Sequence, residues 1–249
     1  MKAMILAAGL GTRLKPWTLE HPKALVPVQN VPMLERVMKK LKDEGFGKQT
    51  VNIHHFGEQI MDFLSSRDFG VVYNVSDERE RLLDTGGGIL KASEILMRED
   101  KEPFLVHNVD ILSDAPLRSL YEHHCESGND VTLLTSGRDS SRKLVFDGDG
   151  ILRGWHNLAS GEFRPEGFSP EEGMHESSFS GIYIIGEGGI EEMRAYACKK
   201  GDKAFPVMDF LLDTKEIKIG EYFLPRLNLI DIGKPSTLEQ ANYLMQIND

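Results

Sequence analysis

The sequence predicts an α/β fold, a three-layer sandwich with a mostly parallel central sheet. Short apolar stretches alternate along the chain with stretches of helical period, which is the pattern of parallel strands joined by crossover helices. The chain has 249 residues and 40% of them are hydrophobic. It can therefore bury the core of one large domain, taken here as residues 1–249.

The predicted elements follow one another in the order that such a sheet requires. An apolar strand over residues 2–8 comes first and runs into a glycine turn. Further strands are predicted at residues 50–54, 71–75, 104–110, 130–135, 178–185 and 229–232. Periodic apolar positions predict helices at residues 33–44, 57–66, 88–97, 116–126, 189–198, 206–213 and 235–247.

The region after residue 135 predicts a small β-hairpin and an insertion. The turn Asp147-Gly148-Asp149-Gly150 separates two short strands at 144–146 and 151–155. Residues 157–176 are polar and rich in Gly, Pro and Glu. We expect this segment to be an exposed insertion, either a lid or a specificity loop.

Positive charge is concentrated at the start of an acidic chain. The whole chain has a net charge of −10, whereas residues 1–25 carry Lys2, Arg13, Lys15 and Lys23 against Glu20, a sum of +3. These cations and a glycine turn follow the first strand, where an α/β protein holds a polyphosphate. The pattern indicates a small anionic ligand rather than a nucleic acid.

Two common phosphate-binding motifs are excluded. The dinucleotide fingerprint needs a third glycine, and Leu14 stands at that position after Gly9 and Gly11, with Pro16 close behind. A Walker A loop is also excluded, because no Gly-Lys-Ser/Thr follows at the required spacing. The turn is therefore a different kind of phosphate loop.

The pattern G-x-G-T-R-L-x-P-x-T-x(3)-P-K-x-L-x-P-V resembles the signature of sugar-1-phosphate nucleotidyltransferases. The matching positions are Gly9, Gly11, Thr12, Arg13, Leu14, Pro16, Thr18, Pro22, Lys23, Leu25, Pro27 and Val28. The resemblance implies a Rossmann-like fold of the nucleotide-diphospho-sugar transferase type. It also implies transfer of NMP from an NTP to a sugar-1-phosphate, with release of pyrophosphate.

The resemblance assigns roles to the phosphate loop. The backbone around Ala8, Gly9, Gly11 and Thr12, with the Arg13 side chain, is expected to hold the β- and γ-phosphates. Lys23 is expected at the α-phosphate, where negative charge gathers during transfer. Arg13 and Lys23 are thus the expected catalytic residues, and Lys15 is left open.

Two carboxylates complete the expected chemistry. Asp110 ends an apolar strand, a costly place for a structural Asp, and Asp114 is better placed to cap the following helix. Asp231 lies in Asp-Ile-Gly-Lys-Pro, which resembles the family's second metal-ligand motif but has Lys234 in place of Thr or Ser. We expect Asp110 and Asp231 to bind Mg²⁺ between nucleotide and acceptor.

The segment Leu82-Leu83-Asp84-Thr85-Gly86-Gly87-Gly88-Ile89 indicates the nucleotide. Consecutive glycines allow a close backbone approach, so Thr85, Gly86 and Gly87, together with Asn108, are expected to bind the nucleotide. The segment most resembles the N-acetylmuramate-1-phosphate uridylyltransferase (MurU-like) branch, which acts in peptidoglycan recycling. That branch implies UTP and N-acetylmuramate-1-phosphate. The segment also resembles mannose- or heptose-1-phosphate guanylyltransferases, so GTP remains an alternative, and a catalytically silent nucleotide-sugar sensor is a third.

The acceptor site departs from the family pattern. Many members carry a Glu-Lys pair after the hairpin, whereas this chain reads Gly154-Trp155-His156-Asn157 there. We expect Gly154, Asn157 and Gly181 to contact the sugar phosphate, whose charge would be met by Lys23 and Arg153 or by the insertion. The pairs His54-His55 and His123-His124 are interpreted as structural, because adjacent side chains diverge.

The remaining features predict a cytoplasmic protein. Cys125 and Cys198 are far apart and indicate neither a disulfide framework nor a metal site. No signal peptide or membrane span is recognised, so no membrane partner is expected. The oligomeric state is not predicted.

Overall fold

A computed structural model describes residues 1–248 and confirms the α/β fold. The strands are β1 Lys2–Leu6, β2 Pro27–Val28, β3 Val31–Pro32, β4 Lys48–Ile53, β5 Val72–Asp77, β6 Phe104–Asn108, β7 Ile111–Ser113, β8 Val131–Ser136, β9 Arg142–Phe146, β10 Leu152–Asn157, β11 Glu162–Arg164, β12 His175–Ile185, β13 Ile219–Leu224 and β14 Leu229–Asp231. The helices are α1 Met33–Asp43, α2 Gly57–Ser65, α3 Asp84–Leu96, α4 Leu117–Ser127, α5 Glu187–Lys200, α6 Val207–Asp213 and α7 Pro235–Asn248. Three single-turn 3-10 helices, Thr12–Leu14, Trp17–Leu19 and Lys23–Leu25, follow β1.

The central sheet is parallel in its first half and mixed in its second. Strands β5, β4, β1 and β6 are parallel neighbours in that order. Strand β12 then pairs antiparallel with β6 and with β8, and β13 runs parallel to β8. Because β6 and β8 both oppose β12, they run in the same direction. The loops after β1, β6 and β8 therefore leave the same edge of the sheet.

Helices cover both faces of this sheet. Ala3 and Ile5 of β1 belong to the core that includes Leu34 of α1 and Leu117 of α4. Met4, which lies between Ala3 and Ile5 in the strand, belongs to the core on the opposite face, together with apolar residues of α3, α5 and α6. Alternate residues of a strand point to opposite faces, so β1 is buried on both sides. This arrangement is the expected three-layer sandwich.

Strand β12 is bent, and its first half belongs to a smaller sheet. Its register with β8 shifts between Phe179 and Tyr183, around Gly181, which has a φ of +76°. Before the bulge, residues 175–177 pair with β9, and β10 and β11 extend the sheet outward. A bulge at this point lets one long strand serve two sheets of different direction.

Several elements differ from the sequence prediction. Residues 157–176 include β11, which pairs with β10. The rings of Phe163 in β11 and His156 in β10 stack with their centroids 4.0 Å apart. The expected insertion is therefore partly ordered β-structure. Strands β2, β3, β7 and β13 were not predicted. Helix α3 begins at Asp84 rather than at residue 88, because the glycines lie within the helix. Among the helices of residues 1–248, none has the length and apolar character needed to cross a bilayer.

Candidate active site

Two carboxylates meet where β6 ends. Asp110 follows β6, and Asp231 ends β14. A short antiparallel ladder between β7 and β14 aligns Asp231 with Ile111, and the Ile232 amide donates to the Asp110 carbonyl at 3.0 Å. This ladder joins segments more than 100 residues apart in sequence. It brings together the two expected metal ligands.

Lys23 forms an ion pair with Asp110. The two side chains are 16% and 11% exposed, so the pair is largely shielded from water. Lys23 begins a 3-10 turn that packs directly against Gly11. At Gly11 φ is +63°, and a Cβ there would lie 2.9 Å from Lys23 Cβ and 2.8 Å from Thr18 Cγ2. Glycine at this position therefore lets the phosphate loop close on Lys23.

The pair of carboxylates carries more negative charge than Lys23 balances. Burial of the carboxyl group and the negative charge of Asp110 raise the pKa of Asp231, although hydrogen bonding to the Gly233 amide and the charge of Lys23 oppose this. A bound cation would relieve this repulsion. Within residues 1–248, no cluster of three or more His, Cys, Asp and Glu side chains is arranged to hold a metal. Two carboxylates suit Mg²⁺, which takes its remaining ligands from phosphates and water.

Arg13 lies beside Asp231. A side chain at Gly233 would place its Cβ 2.6 Å from Arg13 Nη2 and 2.8 Å from Asp231 Oδ1. Both groups therefore border the Asp-Ile-Gly turn, and Arg13 and Thr12 are exposed to solvent. The structure thus brings the two expected catalytic cations, Arg13 and Lys23, to the same pair of carboxylates.

The phosphate loop is anchored by a side chain that sequence reasoning missed. Asn52 Oδ1 accepts from the amides of Ala7 at 2.7 Å and Ala8 at 3.2 Å, and its Nδ2 donates to buried Glu78 Oε1 at 2.7 Å. The other oxygen of Glu78 accepts from the Leu83 amide at 3.1 Å. Burial raises the pKa of Glu78. The sequence feature that could have indicated this role of Asn52 is a polar amide side chain within an otherwise apolar strand.

This network changes the expected list of phosphate donors. Because the Ala8 amide donates to Asn52, it is not the open donor that the sequence predicts. The amides of Gly9, Leu10 and Gly11 donate to no acceptor among residues 1–248. They follow β1 in succession and leave a short row of open donors at the edge of the sheet.

The glycine-rich start of α3 packs against protein. The Gly86 amide donates to the Phe205 carbonyl at 2.8 Å, and the Val207 amide donates to Thr85 Oγ1 at 2.8 Å. A side chain at Gly86 would overlap the Phe205 ring, and one at Gly87 would overlap the Lys203 carbonyl. The lack of side chains at Gly86 and Gly87 therefore allows residues 203–207 to pack directly against the start of α3. The expected nucleotide contacts of Thr85, Gly86 and Gly87 stay a prediction that this packing does not favour.

The expected acceptor residues separate into two groups. Gly181 lies beside Asn108, since a Cβ at Gly181 would be 2.8 Å from Asn108 Nδ2. Asn108 ends β6 only two residues before Asp110, so Asn108 and Gly181 both lie close to the carboxylates. The aromatic ring of Phe168, in contrast, covers Gly154, and Asn157 Oδ1 accepts from the Ala159 amide in the β10–β11 turn. The expected sugar-phosphate contacts of Gly154 and Asn157 are not supported.

Three other side chains considered from sequence, Arg153, His54 and His124, have local partners. Arg153 pairs with Asp147 at 2.7 Å rather than reaching the site. His54 Nδ1 contacts the Glu78 carbonyl at 2.8 Å, and His124 Nδ1 contacts Thr132 Oγ1 at 2.9 Å. Burial lowers the pKa of His124 to about 4. These contacts agree with the structural interpretation of His54 and His124.

Comparison with known proteins identifies the family. The family model described as nucleotidyl transferase matches residues 2–146. The probable mannose-1-phosphate guanylyltransferase 3 of Oryza sativa subsp. japonica is 35% identical over 147 residues, which cover 57% of this chain and 40% of that protein. The mannose-1-phosphate guanylyltransferase catalytic subunit beta of Drosophila melanogaster is 27% identical over 239 residues, which cover 94% of this chain and 60% of that protein. The chain thus spans only 40–60% of the length of these relatives.

Solved structures share the fold over almost the whole chain. HddC from Yersinia pseudotuberculosis superposes with a TM-score of 0.78 at 22% identity, covering 98% of this chain and 99% of that one. A second structure of HddC contains GMP-PN. A UDP-glucose pyrophosphorylase with bound UDP-glucose gives a TM-score of 0.74 at 16% identity and covers 100% of both chains. At these identities the likeness extends to the fold alone.

Proposed function

The chain belongs to the nucleotidyl transferase family, and from that premise we propose that it is a sugar-1-phosphate nucleotidyltransferase. The observation that carries the proposal is the cluster of Lys23, Asp110 and Asp231 beside the open amides of residues 9–11. Cations and open amides suit a polyphosphate, and paired carboxylates suit its metal ion. A protein that only binds nucleotide sugars would have no need of the paired carboxylates.

The proposed reaction needs no nucleophilic side chain. A phosphate oxygen of the sugar-1-phosphate, already ionised at neutral pH, attacks the α-phosphorus of the NTP. The bond from that phosphorus to the bridging oxygen breaks, and its electron pair leaves with pyrophosphate. No proton has to move, so the protein contributes positioning and charge stabilisation.

The residues of the cluster take distinct roles in this proposal. Lys23 stabilises negative charge on the α-phosphoryl group, and Arg13 and the amides of residues 9–11 hold the β- and γ-phosphates. Asp110 and Asp231 would hold Mg²⁺, which when bound neutralises charge on the phosphates. Asn52 acts indirectly, because it fixes the backbone at Ala7 and Ala8 immediately before the open amides.

We propose a guanine nucleotide and mannose-1-phosphate, or a heptose-1-phosphate, as substrates. The curated relatives described above are named mannose-1-phosphate guanylyltransferases, and an HddC structure of the same fold contains GMP-PN. The uridylyltransferase interpretation depended on the glycines of residues 86–88. Gly86 and Gly87 pack on residues 203–207, and Gly88 packs on Glu78 and Asn52, which gives these glycines a different explanation. The comparisons therefore favour the guanylyltransferase alternative, and a role in peptidoglycan recycling is left without support.

Pyrophosphate release in the presence of Mg²⁺ tests this proposal. GTP, UTP, CTP and dTTP would each be combined with mannose-, heptose-, N-acetylmuramate- and glucose-1-phosphate. We expect the highest kcat/KM with GTP and mannose- or heptose-1-phosphate. An optimum with UTP and N-acetylmuramate-1-phosphate would restore the uridylyltransferase interpretation. Nucleotide binding without release of pyrophosphate from any pair would overturn the transferase proposal in favour of a sensor.

A further inference from the structure

A second group of cations stands at the same edge of the sheet, after β8. Arg138 is half-buried, and its Nη2 donates to the Phe179 carbonyl at 2.7 Å. Its Nε is buried and has no acceptor among residues 1–248, and Nη1 has none there either. A buried N–H donor such as this Nε normally has an acceptor. Arg138 is therefore held in place by the fold with much of its hydrogen-bonding capacity unused.

Lys143 stands next to Arg138 and also has no acidic partner among residues 1–248. Its Nζ donates to the Arg138 carbonyl at 2.9 Å and to Ser178 Oγ at 2.8 Å, and both acceptors are neutral. The chain has 39 acidic residues against 29 Lys and Arg. Two neighbouring cations without an ion pair in the described structure are unusual in such a protein. The arrangement indicates an anion that the protein itself does not supply.

The sheet places these cations opposite the phosphate loop. Strands β1, β6, β12 and β8 are adjacent in that order, and the loops after β1, β6 and β8 share one edge. Asp110 follows β6, so it lies between the phosphate loop after β1 and Arg138 after β8. Burial lowers the pKa of Arg138, and the negative charge of Asp231 opposes this lowering, so Asp231 is close enough to act on the Arg138 guanidinium.

A strand bulge connects Arg138 to the site. Arg138 holds the Phe179 carbonyl, Ser180 Oγ donates to the Leu134 carbonyl at 2.7 Å, and Gly181 lies against Asn108. The three residues form the irregular part of β12. Arg138 and Asn108 therefore border the two ends of one short segment, which makes Arg138 part of the wall around the carboxylates.

We propose that Arg138 and Lys143 bind the phosphate group of the acceptor, a phosphate monoester such as a sugar-1-phosphate. This inference rests on the proposed function and accounts for the missing Lys after the hairpin. A guanidinium and an ammonium offer charged donors to a dianionic phosphate. The carboxylate pair then lies between a nucleotide phosphate site and an acceptor phosphate site, as an in-line transfer requires.

Steady-state kinetics of Arg138→Gln with GTP and mannose-1-phosphate test the inference. We expect the KM for mannose-1-phosphate to rise at least about tenfold, while the KM for GTP changes less than about twofold. Arg138→Lys should recover part of the loss because it restores the charge. Arg142→Gln is the matched control, since this adjacent exposed cation has no side-chain partner among residues 1–248 and its removal should leave both constants unchanged. Equal rises in both KM values, or an unchanged KM for mannose-1-phosphate, would overturn the inference.

Calorimetric titration separates this inference from the proposed function. If the wild-type protein releases no pyrophosphate, titration with mannose-1-phosphate and, separately, with inorganic phosphate still reports on the acceptor site. Weaker binding of both probes by Arg138→Gln than by Arg142→Gln supports the site, and equal or undetectable binding overturns it. Should Arg138→Gln unfold, Lys143→Gln provides the second variant, with the same expected direction for mannose-1-phosphate.

Discussion

The ammonium of Lys23 pairs with Asp110, and the carboxyl group of Asp231 stands beside the same pair. Of the two cations beside these carboxylates, Lys23 forms an ion pair within residues 1–248, whereas Arg13 is exposed and forms none there. The site therefore retains repulsion between the carboxylates in the absence of a metal ion. Such repulsion lowers the stability of the folded chain, as is common where charges are gathered for catalysis. The site thus favours a bound cation over the metal-free state.

Asp231→Asn tests this charge imbalance through the melting temperature in EDTA. The folded pKa of Asp231 is raised above its ordinary value of 3.8, so ionisation destabilises the folded state increasingly as the pH rises through the folded pKa. At pH 8 we expect the variant to melt at a higher temperature than the wild type. This gain in melting temperature should disappear as the pH falls towards 3.8, the ordinary pKa of an Asp side chain. A variant that melts lower than the wild type at pH 8 would contradict the imbalance.

Helix α3 owes its unusual first turn to the segment that follows α5. Gly86 and Gly87 are buried, and the chain at residues 203–207 lies where their side chains would otherwise be. The Gly86 amide, which has no partner within the helix, donates to the Phe205 carbonyl. The cost of glycine in a helix is therefore offset by close packing and by satisfied backbone groups.

Gly86→Ala distinguishes this packing role from a nucleotide-binding role. The new Cβ would lie 2.5 Å from Phe205 Cδ2 and 2.9 Å from the Phe205 carbonyl oxygen. We expect overpacking to lower the free energy of unfolding by about 1–3 kcal/mol, seen as a lower midpoint in urea. Gly148→Ala is the control, because no atom of residues 1–248 lies within 4 Å of its Cβ position. An unchanged midpoint with a raised KM for GTP would instead favour nucleotide contact.

The sequence allowed the parallel half of the sheet and the residues of the cluster to be predicted, because both depend on local patterns. The run of residues 2–8 reads as a buried strand, and the loop signature extends over Gly9–Val28. Long-range pairing was harder. Asn52 and Arg138 act through partners distant in sequence, and β11 belongs to a polar segment that is ordered only by pairing with β10. Consecutive glycines indicated close approach correctly but did not identify the approaching group.

The whole molecule combines two sheet architectures around one site. The parallel strands β5, β4, β1 and β6 supply the phosphate loop and Asp110, while the antiparallel strands β12 and β8 supply the bulge and Arg138. The short β7–β14 ladder adds Asp231 from near the end of the described chain. In this arrangement the boundary between the two architectures lies at Asp110, where we propose that nucleotide and acceptor phosphates meet.

Pyrophosphate release by Asp110→Asn, with GTP, mannose-1-phosphate and Mg²⁺, tests this account most directly. Removing the carboxylate charge should lower kcat by at least about a hundredfold, because charge stabilisation at the reacting phosphates accounts for most of the catalysis. The melting temperature should stay near the wild-type value. Asp43→Asn, at the exposed end of α1, is the control and should retain full activity. Turnover by Asp110→Asn equal to that of the control would remove Asp110 from the site and contradict the account.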